Sequence, residues 1–177
     1  YFVGFLMDGI LLLEKQKETN HYQIQSLPIN SGVFCLKKDR FQDVVWIGTD
    51  GQGVYLYSNP LYSIKSMVLS NYTEKIERPV RAIYLDDERT FWVGTKGNGI
   101  LKIYDYEFDK NISDCRAEVL TTSNSALSSN AVYCFAKSHR NLLWIGDEEG
   151  LTYYSYREKR IKSIPIRIGN EDFKYIH

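Results

Sequence analysis

Two glycine-dense segments, Gly48-Thr49-Asp50-Gly51-Gln52-Gly53 and Gly94-Thr95-Lys96-Gly97-Asn98-Gly99, have the composition of loops that cradle a phosphate with backbone amides. A phosphate loop also needs a following helix whose N-terminus faces the anion and a Gly-Lys-Ser/Thr ending, and neither segment offers these. Both read instead as hairpin turns in which glycine supplies positive φ. The indoles of Trp46, Trp92 and Trp144 have faces suited to pyranose rings, but each lies inside a short apolar run, which points to packing. His21, His139 and His177 have no metal-ligand spacing to one another or to Cys35, Cys115 and Cys134, so no metal is expected. The carboxylates of Asp86-Asp87-Glu88 and Glu148-Glu149 fall in expected turns, where solvated charge is the default. No nucleophile, base and orienting acid assemble from the sequence, so neither a catalytic residue nor a cofactor is expected. Asn71-Tyr72-Thr73 and Asn111-Ile112-Ser113 match the glycosylation acceptor pattern.

The elements that carry these residues follow from composition and period. The 177 residues include 22 basic and 22 acidic side chains, so no overall field draws nucleic acid or an anionic membrane. Apolar runs such as Ile10 to Leu13 fall far short of the roughly 18 residues that span a bilayer. Any membrane attachment is therefore expected through regions outside this sequence. The opening Tyr1-Phe2-Val3-Gly4 is not a Met with a basic stretch, and the chain reads as an excerpt of a longer polypeptide. Aromatic residues make up 14% of it, set in short β-branched runs between glycines and prolines. That pattern predicts an all-β fold with few or no helices.

An internal repeat specifies which all-β fold. Trp46-Ile47-Gly48-Thr49 recurs as Trp92-Val93-Gly94-Thr95 and Trp144-Ile145-Gly146-Asp147, with the degenerate Phe2-Val3-Gly4-Phe5 upstream. The spacings are 44, 46 and 52 residues, the range of propeller blades. Each copy runs on into a glycine turn and another apolar run, Val54 to Tyr57, Ile100 to Tyr104 and Leu151 to Tyr154. A further run precedes each Trp: Val33 to Leu36, Val80 to Tyr84 and Val132 to Phe135. Fourth strands are expected at Ser63 to Leu69, Ala117 to Thr121 and Arg160 to Pro165. Four short antiparallel strands per unit is the anatomy of a β-propeller blade. The blades fall at about 1–31, lacking its first strand, 32–78, 79–129 and 130–171, and 172–177, with Phe173-Lys174-Tyr175-Ile176, open the next. The whole chain is then part of one propeller domain, an incomplete arc of about three to four blades from a larger ring. Such an arc exposes edges and blade faces, so either neighbouring residues complete it or it self-associates. Cys35 and Cys134 occupy equivalent first-strand positions, with Ala82 between them, and are expected to be free, buried thiols, whereas Cys115 lies in a loop.

The pattern Leu27-Pro28-Ile29-Asn30, Val33-Phe34-Cys35-Leu36, Val45-Trp46-Ile47-Gly48-Thr49, Gly51-Gln52-Gly53-Val54 and Tyr57, echoed by Leu127-Ser128-Ser129-Asn130 and Leu143-Trp144-Ile145-Gly146, resembles the two-component regulator propeller repeat. The likeness covers nearly the whole chain, departing from the pattern at Phe2 and in the shortened turn Asp147-Glu148-Glu149-Gly150. It implies the periplasmic sensor region of a Bacteroidetes hybrid two-component histidine kinase, the extracytoplasmic part of an inner-membrane protein. A binding and signalling role is then expected of this segment, with an oligosaccharide ligand, a sensor homodimer and catalytic domains elsewhere in the protein. Ligand would act by population shift between arrangements of that dimer. Loops between blades and inside each Trp hairpin share one axial face, which makes Asp50, Gln52, Arg78, Arg81, Lys96 and Asn98 the candidate ligand contacts. Two other readings stand beside this one: a propeller glycosidase or lyase, and a protein-binding scaffold. The segment Asp39 to Trp46 does not match the Ser-x-Asp-x-Gly-x-x-Trp box of sialidase-type blades, which disfavours the first.

Overall fold

Short β-branched and aromatic runs alternate with turns bearing Gly, Asp or Asn, and the runs form strands. The structure, a computed structural model, describes residues 1–58, 63–67, 78–106, 115–164, 167–168 and 171–172. The first sheet is β1 (Phe2–Gly4), β2 (Ile10–Lys15) and β3 (Tyr22–Ser26). The second is β4 (Val33–Lys38), β5 (Val44–Thr49), β6 (Val54–Ser58) and β7 (Ser63–Met67), and the third β8 (Val80–Leu85), β9 (Phe91–Thr95), β10 (Ile100–Ile103) and β11 (Ala117–Leu120). The fourth is β12 (Val132–Lys137), β13 (Leu142–Asp147), β14 (Gly150–Ser155) and β15 (Arg160–Ile164). All neighbours are antiparallel and each sheet is a meander in chain order. A two-stranded hairpin follows, β16 (Arg167–Ile168) with β17 (Glu171–Asp172), which the sequence reading did not contain. No helix occurs among the described residues, and none is long and apolar enough to cross a membrane.

The sheets are propeller-like blades. Their first strands β4, β8 and β12 meet in succession and form the inner side of the arc. Three apolar layers lie between the four sheets: Ile10, Leu12 and Ile47 in the first, Trp46, Phe91 and Leu101 in the second, Trp92, Leu143 and Ile145 in the third. Trp46 packs on Phe91 and Tyr106 of the next sheet, with ring centroids 4.4 and 5.1 Å away, and Trp92 packs on Tyr154 at 4.9 Å. Gly48 and Gly94 make these layers thin. A Cβ on Gly94 would stand 2.8 Å from the Val132 Cγ1 of the following sheet, and one on Gly48 2.8 Å from the Val80 Cγ1. Gly146, at the same place in the fourth sheet, is buried.

Two expectations need correction here. Cys134 is exposed, not buried. Its equivalent Cys35 is covered by β8, its Sγ lying 3.9 Å from the Val80 carbonyl, but no described strand lies against the outer face of the fourth sheet. Trp144 is half-buried for the same reason and packs on Tyr153 of its own sheet. Asp86 is not a solvated turn residue: it is 2% exposed and holds the Trp92 indole. Cys115 lies in a loop as read, yet is buried in the second apolar layer. The two glycosylation patterns and Phe173 to Ile176 lie outside the described residues.

Candidate functional site: one end of the sheets

The glycine turns are built by their own strands. Thr49 and Thr95 each donate both backbone N–H and hydroxyl to the carbonyl four residues on, Gly53 and Gly99, at 2.7 to 3.1 Å. Gly51, Gly53, Gly97 and Gly99 have φ between 73° and 119°, the left-handed region that glycine enters without steric cost. In the fourth sheet Asp147 replaces the threonine and its carboxylate accepts the Ser128 and Glu149 N–H groups. Burial raises the Asp147 pKa, against the opposing pull of those N–H donors.

Each turn is tied to the segment that enters its own sheet. The N–H groups of Asp50, Lys96 and Glu148 donate to the carbonyls of Gly32, Pro79 and Ala131, all at 2.9 Å. Gly97 and Gly99 also donate across to the Asn130 carbonyl of the segment leading into the next sheet. The glycine turns and the connections between sheets therefore share one end of the molecule.

That end holds all six candidate contacts. Asp50, Arg78 and Lys96 are exposed. Gln52 reaches the Asn30 carbonyl at 3.5 Å and receives the Tyr55 hydroxyl at 3.2 Å. The Arg78 side chain runs beside Gly97. Asn98 donates its backbone N–H to Thr95 Oγ1 at 3.0 Å, while its side-chain oxygen is buried without a partner. Arg81 is half-buried, its guanidinium 3.7 Å from the Phe34 ring centre, and its Nε is buried without a partner. Two groups result: Asp50 and Gln52 against residues 30–32, and Arg78, Lys96 and Asn98 on the next sheet.

The sequence reading missed Phe34 and Tyr133 at this end. In each complete sheet the first pairing slips by one residue, between Val33 and Cys35, Val80 and Ala82, and Val132 and Cys134. The extra residue is Phe34, Arg81 or Tyr133, and a bulge of this kind re-aims the side chain it carries. Only the recurrence of Val-x-Cys or Val-x-Ala hinted at it.

The opposite end is a structural lock. Asp39 and Asp86 accept the indole N–H of Trp46 and Trp92 at 2.8 and 3.0 Å. Asp39 also accepts the N–H groups of Phe41 and Gln42, and Asp86 those of Glu88 and Thr90 together with the Tyr156 hydroxyl. Burial and the Asp86 charge push the Tyr156 phenol pKa up. Asp87, held below the usual carboxylate range by its Lys137 hydrogen bond, also pairs with Arg40 at 2.6 Å, linking three sheets. A cleft of about 420 Å³ opens nearby between the third and fourth sheets. In its wall Lys102 lies over the rings of Trp92, Tyr104 and Tyr154, donates to the Tyr154 oxygen at 3.0 Å and pairs with Glu118 at 3.3 Å. Burial pulls its pKa down, but Tyr104 and Tyr154 outweigh that and hold the ammonium charged. Among the described residues no three His, Cys, Asp or Glu side chains gather to hold a metal ion. The glycine-turn end presents guanidinium, ammonium, amide and carboxylate groups together, groups that can donate and accept hydrogen bonds to a polar molecule.

No family model matches the chain. Among curated proteins, translation initiation factor 6 of Saccharolobus solfataricus is 31% identical over an alignment of 140 residues that covers 72% of this chain and 57% of that protein. The chain thus spans little more than half the length of that relative. Among solved structures, the fold is similar to the extracellular domain of a protein described as a hybrid two-component system of B. thetaiotaomicron, with a TM-score of 0.60, 21% identity, and coverage of 88% of this chain and 21% of that one. A second extracellular domain from the same organism, described as belonging to a one-component system, matches at TM-score 0.58 and 17% identity over 96% of this chain and 22% of its own. Another structure from that protein, there described as a hybrid two-component system, matches at 0.54 and 16%, covering 96% of this chain and 28% of its own. The chain corresponds to a fifth to somewhat over a quarter of those structures and shares their fold.

Proposed function

We propose that this chain is part of an extracytoplasmic propeller that senses an oligosaccharide on behalf of a two-component signalling protein, and that it does no chemistry itself. The observation that carries this reading is the fold shared with extracellular domains of the B. thetaiotaomicron systems across most of the chain. The polar end supports it: exposed turns on rigid sheets offer hydrogen-bonding and charged groups without a nucleophile and base in register. The location is periplasmic, and the rest of the ring and a second sensor chain are the partners. Ligand held across blades, or between propellers, favours one arrangement of the dimer and so biases a kinase that lies elsewhere in the protein.

The test is a binding screen, by glycan array and calorimetry, of the complete extracytoplasmic region against oligosaccharides from plant, host and microbial polysaccharides. Micromolar binding of one class without turnover is the expected result. Cleavage of a bound sugar contradicts the non-enzymatic reading, and silence across the panel contradicts oligosaccharide sensing in favour of a protein partner. The partial likeness to an archaeal initiation factor supplies a second reading, association with the translation machinery. Equal numbers of basic and acidic residues give no field toward RNA, which disfavours it. Co-sedimentation with ribosomal subunits, absent on the sensing account, separates the two.

A further inference from the structure

We infer that the bulge residues Phe34, Arg81 and Tyr133 form a rim on the inner side of the arc that binds a carboxylate-bearing sugar, a uronate, with Arg81 as the partner of the anion. This deepens the sensing role proposed above and rests on it. The three residues are the single extra residue of β4, β8 and β12, the strands that line the inner side. Around them the repeat is uniform: Val33, Val80 and Val132 are buried, and small Cys35, Ala82 and Cys134 follow. Only the bulge residue changes character, from aromatic to cationic to aromatic. In a repeated frame, invariant positions carry the packing. A position whose side chain is re-aimed in every copy, and differs in each, is suited to recognition.

Arg81 supplies the chemistry. The cations at the opposite end are spoken for: Arg40 and Lys137 by Asp87, Lys102 by Glu118. Arg81 is half-buried and stacked on Phe34, and among the described residues no carboxylate or carbonyl accepts from it. A guanidinium removed from water in this way gains most from an ionised acceptor, which it can bind through two parallel hydrogen bonds. Exposed Arg78 and Lys96 stand at the same end and add positive charge. A sugar fits better than a simple carboxylic acid. Half-buried Phe34 and Tyr133 bring aromatic surface of the kind suited to the C–H face of a pyranose.

Calorimetry on the complete extracytoplasmic region tests this with oligomers of galacturonate, glucuronate and mannuronate, each beside its carboxyl-reduced counterpart and a panel of neutral oligosaccharides. The expected result is binding of an acidic oligomer that weakens at least about tenfold on carboxyl reduction, and equally in Arg81→Leu, as loss of a charged hydrogen bond requires. Arg81→Lys, which keeps charge but not the stacked fork, falls between, and serves if Arg81→Leu does not melt cooperatively. Tyr133→Leu weakens binding without changing its salt dependence. Binding that survives carboxyl reduction, or both Arg81 substitutions, overturns the inference, as does binding of neutral sugars alone, which leaves the sensing role intact. Binding of no sugar in either panel overturns both.

Discussion

Asp86 concentrates interactions in one buried side chain, which receives an indole, a phenol and two backbone N–H groups from two sheets. Removing it strands those donors in a dry site, and each unsatisfied donor costs about 1–3 kcal/mol. Asp86→Ala is therefore expected to destabilise by about 3 kcal/mol or more, and Asp39→Ala by somewhat less, read from denaturant unfolding followed by tryptophan fluorescence. An unchanged midpoint contradicts the role. The sequence hid this because an acidic cluster in a turn looks solvated. The available signal was positional, an aspartate seven residues before Trp46 and six before Trp92. A second residue-scale expectation concerns the thiols. Burial pushes the Cys35 pKa up to about 12, so the thiol stays protonated in the folded state well above the ordinary range. A raised folded-state pKa contributes fully below the unfolded value near 9, and this contribution to stability is lost progressively as pH climbs from there to about 12. At pH 8 a thiol reagent is expected to label exposed Cys134 in the native protein and Cys35 only after denaturation. Equal labelling of both in the native state contradicts the structure.

The strands were legible at the scale of elements because their period is long and their turns repeat. Trp-x-Gly with a glycine turn fixes β5, β9 and β13 and the strands that follow them, and the apolar runs a dozen residues upstream fix β4, β8 and β12. The bulges were not legible, since a run of apolar residues does not say which one is left unpaired. Nor was the environment of Lys102, a charge inside the run Ile100 to Ile103 that the ring box between two sheets takes in. The close approach of neighbouring sheets is a property of elements and can be tested as one. Gly94→Ala places a methyl against Val132 and Phe135, and overpacking of this kind costs about 1–3 kcal/mol. Val132→Ala alone opens a cavity. The double variant is expected to lose less than the sum of the two, and strict additivity in thermal unfolding contradicts direct contact.

For the molecule as a whole, the arc explains where polar groups and bare surface lie. Inner sheet faces are covered by neighbours, whereas Trp144 and Cys134 on the fourth sheet and Tyr22 and Ile24 on the first remain in contact with solvent. In the complete protein a further blade, or a second chain, is expected to cover the Trp144 face, which quenching of its fluorescence by acrylamide reports. The shared end for glycine turns and connections was foreseeable from a four-stranded meander, in which alternate loops fall on the same side. The composition of its inner rim was not. Hydrogen–deuterium exchange of the complete extracytoplasmic region, with and without the oligosaccharide that the binding screen selects, tests the central claim most directly. The account expects protection at residues 27–34, 50–54, 78–82, 96–100 and 127–133, with none at the opposite turns 39–43, 86–90 and 138–141. Protection at those opposite turns, or along the sides of the sheets alone, contradicts it.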